Sequence, residues 1–432
     1  MNRKLFYLIV WLVAAGWMFP LAVRAQLTID SCYQLARRHY PELSRMNIIQ
    51  RLAQYSIDNA ARGYLPQLRL TAQGTWQSDV TKIPFEFPGV QVDALSQDQY
   101  RAMLELNQTI WDGGEIKSNQ ADIRAGAAVD RQQVEVGLYA LRERVNQLYF
   151  GILLFTAQLE QNSIWQRQLE RNYGQVAAWC EKGVAGSADL DAVRVEQIKA
   201  RQDSIQLYCG RLAYCSVLAL LTGLPSVDPG RLVEPEVSGG TYDDPNFDAR
   251  PEMLLYDLQL QQLDTRRHAL NVGLRPQLGI FMQAAYGKPG LDVLENKFSP
   301  YMVASVRLTW NISRFYTFKS DRLKVAQRKQ EVEAARQTFL LNKRMEAWQT
   351  SVEIDQWQRM MNDDDELISL RANIRQAAEA KAALGVMTVN DMLQEVSAEH
   401  AARKARALHA IQYKNAVYNW KFITHDLLAE LI

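Results

Sequence analysis

The chain has 432 residues, a formal net charge of +1 and 22% charged residues. That length admits two or three ordinary domains or one elongated architecture. So even a balance gives no electrostatic argument, over the whole chain, for binding nucleic acid or an anionic membrane surface.

Residues 1–25 read as a secretory signal. Arg3 and Lys4 precede an apolar run broken at Pro20, and Val23-Arg24-Ala25 supplies small residues before Gln26. An uncleaved anchor helix is the alternative, but the apolar run is short for a span. A lipid anchor would need a cysteine directly after cleavage, and Cys32 lies too far downstream. No later run of about 18 apolar residues is evident, so no ordinary transmembrane helix is expected. The four cysteines, Cys32, Cys180, Cys209 and Cys215, are poorly placed for pairing. Cys209 and Cys215 on one helix would stand about 9 Å apart along its axis, beyond bridging distance. Free, mostly buried thiols are expected.

The first repeat occupies residues 26–222. After a helix that includes Pro41-Glu42-Leu43, the stretch PQLRLTAQGTW alternates with a period of two. Leu68, Leu70, Ala72 and Trp76 share one face, while Gln67, Arg69, Thr71 and Gln73 share the other, which predicts a strand over about 66–79. A second strand over about 100–111 sets Ala102, Leu104, Leu106 and Ile110 against Arg101, Glu105, Asn107 and Thr109. From 112 to 182 the sequence is rich in Ala, Gln, Leu, Arg and Glu and free of proline, which predicts a helix approaching 100 Å. A turn at 183–189 leads to a further helix ending near 222. Residues 223–247 form a Pro/Gly-rich linker.

The pattern then recurs in a second repeat, 248–432. Pro41-Glu42-Leu43 returns as Pro251-Glu252-Met253, an offset of 210, and Pro66-Gln67-Leu68 returns as Pro276-Gln277-Leu278. Beyond the strands the offset becomes 202 and holds: Gly183 matches Gly385, Asp189 matches Asp391, and Thr222 matches Thr424. Strands are predicted over about 276–286 and 301–312, and the change of offset falls in the loops 80–99 and 287–300. Pro66 and Pro276 mark helix-to-strand transitions; Gly113 and Gly114 mark the sharp return to helix.

Four amphipathic strands of about ten residues match the length of tilted membrane-spanning β-strands. Trp76 and Tyr286 near one end, with Trp310 near the other, fit two lipid-interface aromatic girdles. Arg69, Arg101, Glu105 and Arg307 then face a wet lumen. Unpaired backbone cannot face lipid and four strands cannot close, so the chain must pool strands with copies of itself. A soluble four-stranded sheet resting on a helical core would alternate in the same way.

With Tyr64-Leu65-Pro66-Gln67-Leu68 opening the first strand, Leu106-Asn107-Gln108-Thr109-Ile110-Trp111-Asp112-Gly113-Gly114 closing the second, and the whole unit duplicated, the chain resembles the TolC-like outer-membrane efflux protein family. The resemblance covers essentially all of the mature chain. It implies a mostly α protein with a membrane β-barrel: a homotrimer whose 12-stranded barrel continues into a long α-helical periplasmic barrel, girdled by the termini and the linker. It further implies an outer-membrane exit duct that docks to a periplasmic adaptor and an inner-membrane RND or ABC transporter and passes drugs or secreted polypeptides, in multidrug efflux or type I secretion.

In that family the periplasmic entrance is constricted at two helix–turn–helix tips. The resemblance carries these onto Gly183 with Asp189 and Gly385 with Asp391. Three copies of Asp391 would form a cation-selective carboxylate ring. Helix N-terminal capping is a compatible second reading of both aspartates. The chain departs from the family pattern at Cys180 and Ala382, where aromatic residues stand, at Met387 in place of a basic residue, and at Gln394 in place of an acid.

No catalytic or metal signature is found: the five histidines show no HExxH or other close ligand spacing. Asp363-Asp364-Asp365-Glu366 lacks the glycine and spacing of a calcium loop and reads as a solvated helix patch. The expected function is therefore a passive channel with no cofactor, no enzymatic activity and no nucleic-acid partner, seated in outer-membrane lipid. A periplasmic coiled-coil adaptor or scaffold and a stand-alone porin are the alternatives.

Overall fold

The computed structural model describes residues 26–81, 95–237, 240, 242 and 245–425. The expected signal at 1–25 lies outside them, as do most of the 80–99 loop and a few linker positions. The chain divides into two compact units, one of Ser44–Glu135 with Pro251–Thr338 and one of the remainder, including Val136–Arg250.

The sheet unit holds all the strands. Helix α2 (Glu42–Ala61) precedes β1 (Gln67–Trp76), and β2 (Asp98–Trp111) leads into α3 (Glu115–Glu181). In the second repeat α5 (Pro251–Val272), β3 (Gln277–Lys288), β4 (Ser299–Thr309) and α6 (Arg314–Ala383) take the same order. The strands form one antiparallel sheet, β1-β2-β3-β4. Its registers bring apolar positions together across the strands: Leu68 faces Leu106, Leu106 faces Met282, and Met282 faces Ala304. Cross-strand neighbours therefore share a face across the sheet, and a one-residue slip in any strand would invert it.

Two strand ends differ from expectation. β1 stops at Trp76 rather than near 79, with one further cross-strand bond from the Gln77 N–H to the Gln97 carbonyl at 2.9 Å. β4 stops at Thr309, leaving Trp310 outside the ladder, where its indole Nε1 donates to the carbonyl of Leu274 at 2.9 Å. A bulge between Thr109 and Trp111 frees Ile110 from pairing.

The helical unit contains α1 (Ile29–His39), α4 (Ser187–Thr222), α7 (Val389–Thr424) and the distal parts of α3 and α6. Its core has three apolar clusters. The first joins Cys32 and Ala36 of α1 to Tyr149, Ile152, Leu218 and Ile411. Here Leu27 pairs with Leu232 of the linker in a parallel bridge. Tyr149 ties them together, its hydroxyl bonding to the carbonyls of Leu27 (2.8 Å) and Val233 (2.6 Å). The second cluster, around Trp165, Leu169, Val193, Met392 and Val396, holds the four helix ends near the two turns. The third surrounds Ile354, Val417 and Trp420.

Three expectations are corrected. Cys32 and Cys215 are buried free thiols, but Cys180 is half-buried and Cys209 exposed. An 18-residue window of α4 reaches a mean hydropathy of 1.3, long and apolar enough to cross a membrane by composition. Its apolar residues surround the helix: Leu218 and Ala219 are buried, while Tyr208, Leu212, Val217 and Leu220 are exposed. The Asp363–Glu366 run is not simply solvated, because Asp364 is buried and pairs with His409 Nδ1 at 2.8 Å, while Asp365 meets Arg406 at 2.7 Å.

Candidate functional site

The sheet presents two unlike faces. On one lie Leu68, Leu70, Ala72 and Trp76, continued by Leu104, Met282, Tyr286, Met302 and Val306, and among the described residues no helix covers it: Leu70 is 75% exposed and Val306 72%. On the other, Arg69 stands directly opposite Glu105, and Arg101 opposite Gln73. Arg307 shares that face from β4, its guanidinium 4.5 Å over the Phe281 ring. Phe281 itself went unnoticed in the sequence, because one ring within an apolar run carries no sign of its cation.

Trp76, Tyr286 and Trp310 are all exposed. Tyr286 belongs to a larger aromatic group that reading by strands missed. Phe298, from the loop, stacks on Tyr286 at 5.6 Å and on Tyr100 at 6.4 Å. Such pairs need tertiary proximity, which spacing does not reveal.

Each passage between helix and strand has a local cause. Pro66 and Pro276 each sit immediately before a strand, consistent with the fixed φ and missing donor of proline. After β2, Gly113 and Gly114 take φ of 70° and 100°. The turn is sealed by Asp112, whose carboxylate accepts the N–H groups of Gly114 (2.9 Å) and Ile116 (2.7 Å) at the start of α3. At Gly113 a Cβ would lie 2.9 Å from Cβ of Arg275, whose Nη1 donates to the Gly113 carbonyl.

The two helix–turn–helix tips repeat one geometry. Gly183 and Gly385 adopt left-handed φ of 77° and 70°. Val184 N–H reaches the carbonyl of Trp179 at 2.9 Å, and Val386 N–H that of Lys381 at 3.0 Å, the six-to-one bond of a Schellman ending. Asp189 then caps α4, its Oδ2 accepting the Gly186 N–H at 2.9 Å. Asp391 occupies the same position in α7: Thr388 Oγ1 accepts the Asp391 N–H at 3.1 Å, and its hydroxyl donates to Asp391 Oδ2 at 2.6 Å. The tips adjoin, since a Cβ on Gly385 would lie 3.7 Å from Val184. Asp189 therefore completes a capping box, whereas in α7 Thr388 is the cap and Asp391 braces its hydroxyl.

The departures from the family pattern have structural roles. Ala382 is buried in the apolar cluster beside the tips, and Cys180 and Met387 pack against it. Gln394 instead lines an open groove of about 630 Å³ between α4 and α7, with Glu196, Asn390 and Ser397.

Behind the tips sits a charged cluster with no sequence signature. Glu399 of α7 is buried between Arg375 of α6 and Arg403, whose Nη2 is 2.6 Å away; Arg375 also holds Glu379 at 2.7 Å. Burial disfavours the charged carboxylate, but hydrogen bonds from Arg403 and Arg375 outweigh it and hold Glu399 below the usual glutamate range. Beside it His400 stacks on Trp165 at 4.7 Å, and burial lowers its pKa to about 4, leaving the ring neutral near pH 7. No group of His, Cys, Asp and Glu that could hold a metal occurs among the described residues.

The arrangement combines a sheet with one wet and one greasy face and helical tips lined by small and polar groups. Residues 32–223 match the model of a protein family described as outer membrane efflux protein. The fold is similar to three solved channels. For the Campylobacter jejuni CmeC outer membrane channel the TM-score is 0.63 at 15% identity, covering 92% of this chain and 85% of that one. For the Vibrio cholerae outer membrane protein VceC it is 0.65 at 13% identity, covering 91% and 95%. For the open state of the Neisseria gonorrhoeae MtrE outer membrane channel it is 0.63 at 13% identity, covering 92% and 88%. No curated protein sequence matches the chain. The resemblance read from the repeated motifs is borne out.

Proposed function

Because its first repeat matches the outer membrane efflux protein family and its fold is that of solved outer-membrane channels, we propose that this chain forms a passive exit duct through the outer membrane. One observation carries the reading: four amphipathic strands form an open sheet whose apolar face is bare and whose edges, β1 and β4, have no pairing partner among the described residues. A soluble sheet on a helical core would bury that face. In lipid the face is satisfied, and the two edges demand closure against further copies. Three copies give twelve strands, with Arg69, Arg101, Glu105 and Arg307 facing the lumen.

Exposed apolar residues on the long helices support the same assembly. Met345, Trp348 and Val352 of α6, and Ile205, Tyr208 and Leu212 of α4, recur at spacings of three and four. That is the seam of helices packing against neighbours. The helices of three copies would then wall a periplasmic conduit, constricted at the tips by Asp391 and met there by a periplasmic adaptor coupled to an inner-membrane RND or ABC pump. Cargo would be small toxic compounds or secreted polypeptides, and energy would come from the pump.

Fractionation and mass measurement test this directly. The chain should enter the outer-membrane fraction, require detergent for extraction, and elute with the mass of three copies. A soluble monomer would overturn the duct and favour the scaffold reading.

A further inference from the structure

The net charge of +1 conceals a local excess of cations in the sheet unit. From Arg314 to Lys329, α6 carries Arg314, Lys319, Arg322, Lys324, Arg328 and Lys329 against a single acid, Asp321. Several of these converge on a groove of about 350 Å³ between α5 and α6, lined by Arg267, Phe318, Lys319, Arg322, Leu323 and Lys329. Lys329 is neutralised by Asp264 at 2.5 Å, and Asp321 is occupied by Lys324 at 3.1 Å. Arg267, Lys319 and Arg322 have no carboxylate partner among the described residues; Arg322 lies instead 5.6 Å over the Phe318 ring. Three uncompensated cations in one concavity repel one another unless an anion joins them.

Position identifies the anion. Arg267 precedes Pro276 by nine residues, and Lys319 follows Thr309 by ten, so along the helices the groove lies roughly 10–15 Å from the strand ends. The headgroup zone extends about 5–8 Å beyond the hydrocarbon core on each side, and long basic side chains reach back toward it. The same turns of α6 expose Phe315 and Tyr316, the latter 82% exposed, as amphipathic rings do at a membrane interface.

The geometry points to a binding site for an anionic phospholipid in the leaflet at the helical end of the sheet. Arg267, Lys319 and Arg322 take the phosphodiester, and Phe318 and Leu323 form the apolar wall of the groove beside it. Guanidinium groups match phosphate oxygens in a bidentate fork, and basic pockets at the membrane edge select such headgroups. The site rests on the reading that the sheet spans a bilayer.

The test uses the full chain extracted in mild detergent and exchanged into nanodiscs of phosphatidylcholine with a minor share of phosphatidylglycerol or cardiolipin. Native mass spectrometry then counts the lipids retained. Wild type should keep the anionic lipid in preference to phosphatidylcholine, less so at high salt. R267Q, K319Q and R322Q should each weaken retention by roughly five-fold, whereas R131Q, on the same unit, should leave it unchanged. Equal retention by wild type and all three variants would overturn the site. So would displacement of the lipid by millimolar inorganic phosphate, which would mark a general anion pocket. A chain that never enters the nanodisc would overturn the membrane reading and the site together; one that inserts without lipid preference overturns the site alone.

Discussion

Arg250 Nη1 donates to the carbonyl oxygen of Ile423 at 2.6 Å and to that of Phe422 at 3.1 Å, so a fully buried guanidinium closes the end of α7. The last carbonyls of a helix lack intrahelical partners and carry the negative end of its dipole, which a cation compensates. The charge is further held over the rings of Tyr139 (5.0 Å), Phe339 and Phe422 (both 5.5 Å). R250L would leave those carbonyls buried and unpaired, at about 3 kcal/mol. Thermal unfolding of the purified protein should show a clear loss of stability, with R250K intermediate because one ammonium cannot span both carbonyls and the rings.

Gly113 governs the passage from β2 into α3. Its φ of 70° is strained for any other residue, and a Cβ would stand 2.9 Å from Cβ of Arg275. G113A should therefore cost about 2 kcal/mol or more, from the backbone and the clash together. Because the residue joins sheet to helix, the expected readout is less assembled, protease-resistant oligomer in the membrane. G174A, at a helical glycine with open space around it, should be tolerated.

Why the sheet was legible and the charged clusters were not follows from periodicity. The β1 run from Gln67 to Trp76 alternates without competition, and its duplication at Gln277 marks the matching strand. The Gly183 and Gly385 turns likewise announce themselves, because left-handed backbone favours glycine. By contrast, Asp364 and His409 are 45 residues apart on long polar helices, and nothing at either position signals the other. The same holds for Glu399, whose neighbour Arg403 fits an ordinary surface pair while Arg375 lies on another helix. Arg250 sits beside Pro251 at the very start of the second repeat, where no periodicity yet marks a partner. Side-chain charges on a long helix reveal a face, not a partner.

Glu399 predicts an acid-sensitive contribution near the tips. Its folded-state pKa lies below the ordinary value, so the folded protein gains stability from the ionised form. That gain is fully present above the usual glutamate range, near pH 4.5, and is lost as pH falls through the depressed folded value. Unfolding profiles of wild type and E399Q should therefore differ at pH 7, by about 2 kcal/mol for a buried carboxylate bound by two arginines, and converge toward pH 3. A constant difference across that range would show that the pair contributes only packing.

Asp391 braces the hydroxyl of Thr388, the N-cap of α7, and, on the duct reading, lines the constriction; two substitutions separate these roles. D391N keeps an oxygen that can accept from Thr388 and removes only the charge, so stability should change little. With three copies around the pore axis, loss of the carboxylate ring should lower cation preference in planar-bilayer recordings. T388A does the reverse: it removes the hydroxyl that accepts the Asp391 N–H at 3.1 Å. It should cost about 1 kcal/mol of helix stability and leave ion preference close to wild type. If D391N conducts with unaltered conductance and selectivity, Asp391 only supports the Thr388 cap and the narrowest ring lies elsewhere. Asp189 supplies the comparison: its carboxylate caps α4 through Gly186 at 2.9 Å, so a selectivity change in D189N but not D391N would move the constriction to the first tip.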